Sequence, residues 1–224
     1  MSRKAVFLDR DGTLNREVHY LADPDRFEWL PGVLDALHAL QAGGWALVVV
    51  TNQSGIAQGL VEVDDLDAIH ARMRTELASA GVTLAGIYSC PHHPHIGRAP
   101  WVHACECRKP APGMLLEAQR DLDLDLAESW MIGDSLRDLQ AGWAAGCRSI
   151  LVRTGKGREQ EAQLKEPLER PADQVQVARV RLAERRAAAQ KLGAQPPPHV
   201  AHLQKHCLSV CLSVCLSVCL SVCL

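Results

Sequence analysis

Ala5-Val6-Phe7-Leu8-Asp9-Arg10-Asp11-Gly12-Thr13 decides the reading of this chain. Four apolar residues in a row describe a short strand buried on both faces, and it delivers two carboxylates, one residue apart, into a turn that Gly12 permits. Alone, Asp-x-Asp-Gly would be an ordinary turn, because Asp and Gly dominate turns. Two later stretches repeat the pattern of an apolar run opening into polar sequence. Trp45–Val50 runs into Thr51-Asn52-Gln53-Ser54-Gly55, and Trp130–Ile132 runs into Gly133-Asp134. Between and after them, apolar spacing and Gly or Pro stops predict helices over 32–42, 64–80, 112–122 and 136–145, with further strands over 87–89 and 149–152.

Strand and helix therefore alternate, which is the pattern of an α/β fold: a doubly wound, mostly parallel, Rossmann-like sheet with ligands at the carboxyl ends of its strands. Only about 20 residues separate Asp11 from the helix starting at Gly32, too short for an independent lid, so no separate cap domain is expected.

The 224 residues suit one compact domain with an appendage. With 47% hydrophobic and 22% charged residues the chain is neither collagenous, nor disordered as a whole, nor an integral membrane protein. A net charge of −2 supplies no field for a nucleic acid. The acidic excess is confined to residues 1–154, while 155–224 carries a basic excess, so the domain is placed at 1–154. Residues 155–195 form a charged extension compatible with a marginal helix over 175–192. Residues 196–224 are a low-complexity tail in which Cys-Leu-Ser-Val repeats from Cys207, expected to be disordered rather than a membrane span. Met1-Ser2-Arg3-Lys4 is followed by too few apolar residues for a secretory signal, so a cytoplasmic protein with reduced thiols is expected.

Two neighbouring carboxylates repel one another unless one is protonated or both share a cation such as Mg²⁺. Asp134, delivered by another strand end, would supply a third oxygen. Cys90-Pro91-His92 and Cys105-Glu106-Cys107 make a Cys₃His set suited to tetrahedral Zn²⁺, two residues before Lys109. Four protein ligands leave no open position, so the zinc is expected to be structural, clamping a loop poor in apolar residues; His93, His95 and His103 nearby are rival ligands. Cys147 reads as small core filler.

Asp9-x-Asp11-Gly12-Thr13, Thr51-Asn52, Lys109-Pro110 and Gly133-Asp134-x-x-x-Asp138 resemble the motifs of the haloacid dehalogenase superfamily of phosphotransferases. The resemblance covers residues 5–154. It implies that Asp9 is the nucleophile, and that Asp11 is the acid for the leaving alcohol and then the base for water. It implies Mg²⁺ held by Asp9, the Asp11 backbone carbonyl and Asp134, with Thr51, Asn52 and Lys109 on the phosphoryl oxygens.

More narrowly, Asp-Arg-Asp-Gly-Thr-Leu-Asn, Val-Val-Val-Thr-Asn-Gln-Ser-Gly-Ile-Ala, Cys-Pro-His-His-Pro and Cys-Arg-Lys-Pro-x-Pro-Gly-Met-Leu are similar to the D-glycero-D-manno-heptose-1,7-bisphosphate 7-phosphatase family. That implies a monomeric, magnesium- and zinc-containing enzyme losing the 7-phosphate of a sugar bisphosphate on the route to lipopolysaccharide core heptose. Arg108 would bind the retained phosphate or sugar, and Glu17, Val18, His19, Tyr20, Gln53 and Ser54 would line the substrate site. A histidinol-phosphate phosphatase shares the motifs, and an inactive zinc-containing scaffold is a third reading that the acidic residues oppose. Two departures stand out: Ser135 occupies a position where Lys is common in the family, and the unusual tail stands where a closing strand or helix is expected.

Overall fold

The computed structural model describes residues 2–163 and 175–178. Within them lie β1 (Arg3–Leu8), α1 (Val33–Ala42), β2 (Ala46–Asn52), α2 (Val63–Ser79), β3 (Gly86–Cys90), α3 (Gly113–Leu122), β4 (Leu124–Gly133), α4 (Leu136–Ala144), β5 (Arg148–Val152), α5 (Gly157–Gln163) and β6 (Val175–Ala178). Every pairing among them is parallel, in the order β3-β2-β1-β4-β5-β6. The chain order reverses at β1, which has β2 on one side and β4 on the other. In such sheets a crevice opens there, outside the carboxyl ends of the strands.

Side-chain alternation along the strands builds two cores. Val6, Leu8, Leu47, Val49 and Ile132 face α1 and α2 through Leu37, Leu40, Ile69, Met73 and Leu77. Ala5, Phe7, Val48, Val50 and Met131 face the other way, onto Met114, Leu115 and Ala118 of α3 and Ala141 of α4. With both faces covered, β1 and β2 read as continuous apolar runs. Cys147 belongs to the second core, as its sequence context suggests.

Register then sets the site. Leu8 is level with Val49 on one side and Ile132 on the other, so Asp9, Thr51 and Asp134 emerge from three adjacent strands at nearly one height. β4 begins at Leu124, earlier than its apolar run at Trp130. A register shift between Lys4 and Val6 accommodates Asp125–Ser129, and the Ser129 hydroxyl accepts the Ala5 N–H at 2.9 Å, filling the gap in the ladder.

Past Thr154 the structure differs from the sequence expectation. α5 follows the β5 loop, and Val175–Ala178 is a sixth strand paired with β5 where composition pointed to a helix. Val-Gln-Val-Ala is β-branched at alternate positions, and the open edge of β5 supplies hydrogen-bond partners that an isolated helix would lack. The rest of the helix expected over 175–192, and the tail 196–224, lie outside the described residues. The loop from Asp9 to Gly32 contains one 3₁₀ turn, Pro24–Arg26, as its only regular element. Among the described residues no helix is long and apolar enough to cross a membrane.

Candidate active site

Lys109 is the hub of the crevice. Its side chain is 1% exposed, and its ammonium lies 2.9 Å from Asp9 Oδ1, 2.7 Å from Asp138 Oδ1 and 2.8 Å from the Val50 carbonyl. Burial by itself would depress its pKa; the Asp138 and Asp9 charges reverse that and hold it raised. The backbone of Lys109 is held as well: its N–H donates to Asn52 Oδ1 and its carbonyl accepts from Asn52 Nδ2, each at 3.0 Å. The Asn52 side chain thus places the lysine, rather than reaching for a ligand.

Carboxylate oxygens of Asp9, Asp134 and Asp138 lie within 4.8 Å of one another. Burial, then the Asp138 charge, pushes Asp9 up to about 7, and burial pushes Asp134 up to about 6. Three acids so close with a single lysine are under-neutralised, and a divalent cation is the ordinary remedy. Donor capacity says which of them would hold it. Both Asp138 oxygens are committed, one to Lys109 and one to the Ser135 N–H at 3.0 Å. Asp9 spends Oδ1 on Lys109 and the Arg10 N–H, and Asp134 spends Oδ2 on the Lys156 N–H at 2.8 Å. Asp134 Oδ1 takes no hydrogen bond from the described residues and is open to an oxygen-preferring ion, and Asp9 keeps its Oδ2 equally unengaged. Gly12 and Gly155 close in on this spot: a Cβ on either would lie within 2.2 Å of Asp134 Oδ2.

Asp11 is not part of that cluster. Its carboxylate receives Arg10 Nε at 3.2 Å and Nη2 at 2.8 Å, Asn15 Nδ2 at 3.0 Å and Gln53 Nε2 at 2.9 Å. Burial raises its pKa, but the Arg10 charge and these donors outweigh burial and leave it below the ordinary value. Gln53 bridges onward, donating to Thr51 Oγ1 at 2.8 Å, so the expected acid and the expected phosphoryl ligand share one buried amide.

The Cys₃His set converges as the spacing suggested. Cys90 Sγ lies 3.6 Å from both His92 Nδ1 and Cys105 Sγ, and Cys107 Sγ lies 3.3 Å from both His92 Nδ1 and Cys105 Sγ. A tetrahedron of thiolates about 2.3 Å from zinc has edges of about 3.8 Å, so the four atoms need only a small expansion to take the ion. Burial pushes the Cys90 and Cys107 thiols up, a cost a metal would remove. The rival histidines stand aside. His93 accepts from the His95 and Ile96 N–H groups, and His103 packs against the His92 ring and the Pro100 carbonyl. Arg108 reaches back to the His92 carbonyl at 3.1 Å.

The expected substrate-lining residues divide. Glu17 faces the site and pairs with Lys156 Nζ at 3.2 Å. Val18 packs onto the first core instead. His19 is exposed, with φ 70°. Tyr20 joins Ile56, Val61, Leu66 and Trp101 in a small apolar cluster and its hydroxyl accepts from Gln58 Nε2 at 2.9 Å. Ser54 is half-buried, its carbonyl taken by Gln58.

Arg10, Asn15, Asp138 and Lys156 were not foreseen as site residues. Asp138 closes the last motif without having been given a role; in the structure it is a first-turn helix acid that caps α4 with Ser135 and also pairs with Lys109. The α4 cap also gives Ser135 a role of its own. Thr154-Gly155-Lys156 follows β5 after one residue, Arg153, and a loop at a strand's carboxyl end was the available signal.

Comparison with known proteins agrees with the geometry. A family model described as HAD-hydrolase-like matches residues 106–178. The D-glycero-beta-D-manno-heptose-1,7-bisphosphate 7-phosphatase of Yersinia pestis is 50% identical over 153 residues, 68% of this chain and 81% of that protein. Its counterpart in Escherichia coli K12 is 48% identical over 160 residues, 71% and 84% of the two chains. This chain belongs to the heptose-bisphosphate phosphatase family of HAD-like hydrolases. A member of the family from B. bronchiseptica, the D,D-heptose 1,7-bisphosphate phosphatase solved with magnesium and phosphate, superposes with a TM-score of 0.68 at 39% identity, covering 84% of this chain and 99% of its own. The Burkholderia thailandensis enzyme superposes at 0.54 with 36% identity, over 78% of this chain and 91% of its own.

Proposed function

We propose that this protein is a cytoplasmic, monomeric, magnesium-dependent phosphatase that removes the 7-phosphate of D-glycero-D-manno-heptose 1,7-bisphosphate, in the supply of heptose for lipopolysaccharide core. The observation that carries the reading is the meeting of Asp9, Asp134, Asp138 and Lys109 at the sheet's switch point, in a chain whose half-identical relatives bear that name.

In this reading Asp9 Oδ2, free of hydrogen bonds from the described residues, attacks phosphorus; the P–O bond to C7 breaks, and the phosphoryl group resides on Asp9 until water takes it. Asp11 gives its proton to the departing C7 oxygen and removes one from the water in the second half, ending as it began. To do so it leaves the Arg10–Asn15–Gln53 pocket and takes up a proton, so the observed position is its resting one. Lys109 holds Asp9 and meets charge developing on the phosphoryl oxygens, with the Thr51 hydroxyl and the Asn52 N–H beside it. Asp9, the Asp11 carbonyl and Asp134 would hold Mg²⁺, which offsets repulsion between carboxylate and phosphate. Zinc on Cys90, His92, Cys105 and Cys107 would keep Arg108 and Lys109 in place. Glu17, His19, Tyr20, Gln53 and Ser54 would border the sugar.

Phosphate release from the 1,7-bisphosphate, with and without Mg²⁺ and against histidinol phosphate, tests this. The expected result is one equivalent of phosphate and a sugar 1-phosphate, only with the metal. Turnover of histidinol phosphate in preference, or of neither compound, would overturn it.

A further inference from the structure

Lys156 makes two contacts that point in different directions. Its backbone N–H donates to Asp134 Oδ2 at 2.8 Å, and its ammonium lies 3.2 Å from Glu17 Oε2. The first contact follows from the path of the chain: a Cβ on Gly155 would lie 2.0 Å from Asp134 Oδ2 and 2.7 Å from the Gly12 Cα, so the loop after β5 packs directly on the turn after β1. The second crosses from that loop to the one that carries Glu17, His19 and Tyr20. One residue therefore touches both an acid open to the metal and the segment that would border the sugar.

Glu17 passes the constraint on. Its Oε1 accepts the His19 N–H at 2.8 Å, closing a turn in which His19 takes φ 70°, a left-handed conformation unfavourable for any residue with a Cβ. The turn delivers Tyr20, whose ring meets that of His19 edge-on with centroids 4.7 Å apart and whose hydroxyl accepts from Gln58 in the loop after β2. Both Glu17 oxygens are thus engaged, and its side chain is 23% exposed against 44% for Lys156. A pair of freely moving, solvated ions would contribute little, because water screens them and both chains must be ordered. Here the turn already holds one partner and the Asp134 contact holds the backbone of the other, so less freedom is lost in forming the pair.

Charge gives the pair a second effect. An uncompensated carboxylate at the crevice would repel an incoming phosphate dianion, and the Lys156 ammonium offsets it. We propose that Lys156 is a positioning residue: by tying the Glu17–Tyr20 turn to Asp134, it sets where a sugar resting on that turn lies relative to the acid that would hold the metal. Lys156 touches no reacting atom in this account and acts through Glu17. The proposal rests on the bisphosphatase reading for the identity of the sugar and deepens it.

Lys156→Met removes the ammonium and leaves the backbone N–H, so Mg²⁺ affinity by calorimetry should stay within about twofold of the parent protein. KM for heptose 1,7-bisphosphate should rise about three- to tenfold, with a smaller change in kcat, and the loss on phenyl phosphate, which has no sugar to seat, should be at least about threefold less. Lys156→Arg keeps the charge and should recover most of the affinity. Glu17→Gln should lose at least as much as Lys156→Met, and the double variant no more than Glu17→Gln alone, since both changes cut the same link. Amide hydrogen exchange at His19 reads the turn without any substrate and should quicken at least about threefold in Lys156→Met. Additive losses in the double variant, equal losses on the two substrates, or unchanged exchange at His19 would overturn the positioning role. A parent protein that left heptose bisphosphate untouched would overturn the bisphosphatase reading, and the tie between Lys156 and the turn would then stand or fall on the exchange alone.

Discussion

Two clusters of four side chains are linked through Cys107-Arg108-Lys109, and they are held together by opposite means. Asp9, Asp134, Asp138 and Lys109 carry their own countercharge, and three of them stand directly at strand ends or a helix start. Cys90, His92, Cys105 and Cys107 have none: burial pushes Cys90 and Cys107 up, and all but Cys90 lie in a loop without regular structure. The first cluster is a product of the sheet. The second would give its loop a shape only with a cation bound.

The comparison breaks most sharply at Asp9. Asp9→Asn should lower kcat more than about 1000-fold, since it removes the atom that accepts phosphorus. The melting temperature should hold or rise, because the carboxylate is a strained charge in the fold. A variant retaining a tenth of the activity would sink the covalent mechanism.

Lys109→Met should come next. It leaves Asp9 and Asp138 buried without their cation, at about 3–5 kcal/mol, visible in urea unfolding. Unchanged stability would mean that the acid centre does not depend on its internal countercharge.

Stripping zinc with a chelator under reducing conditions should cost about 2.7 kcal/mol relative to protein held at a hundredfold excess over Kd. The loss should appear as proteolytic cleavage within 91–108, with the sheet intact. Cys105→Ser should do the same without a chelator. Less than one zinc per reduced chain would retire the clamp.

pH distinguishes the clusters again. In the metal-free protein Asp9 is raised to about 7 and Asp134 to about 6, above their unfolded values near 3.8. The folded state therefore binds more protons than the unfolded one between those limits. By linkage, stability from this pair falls as pH rises from about 4 to about 7. Magnesium requires both groups ionised, so its affinity should climb at least about tenfold per pH unit below pH 6 and level off above 7, by calorimetry. A flat affinity across that range would place the ion elsewhere. The smallest effect is expected at Ser135→Ala, about 1 kcal/mol in thermal unfolding, from the lost α4 cap.

Much of this was legible before any coordinates. Apolar runs of period one and helical spacing of leucines report burial on both faces of a parallel sheet, so β1, β2 and the helices α1 to α4 could be placed within a few residues. The motif residues Asp9, Thr51 and Asp134 were legible because each stands at the end of a strand, where backbone geometry alone aims a side chain at the crevice, whereas Lys109, in the loop before α3, was legible only through its motif. Ligand spacing revealed the Cys₃His set for a similar reason: pairs two residues apart need only one loop closure to meet.

What sequence could not supply is partnership across the chain. Nothing local to Asp11 says that its carboxylate will receive the Gln53 amide, 42 positions on, and nothing local to Asp138 says that its helix-capping carboxylate also meets a lysine 29 positions earlier. The strand at Val175–Ala178 exists because β5 has an open edge, which a reading of composition along one segment cannot see. The order of residues thus determined which elements form and which chemical groups they present, since both depend on neighbours a few positions away. Tertiary structure decided which carboxylates keep a free oxygen and which cation answers each of them, because hydrogen bonds and Coulomb forces act between groups that only the finished fold brings within reach.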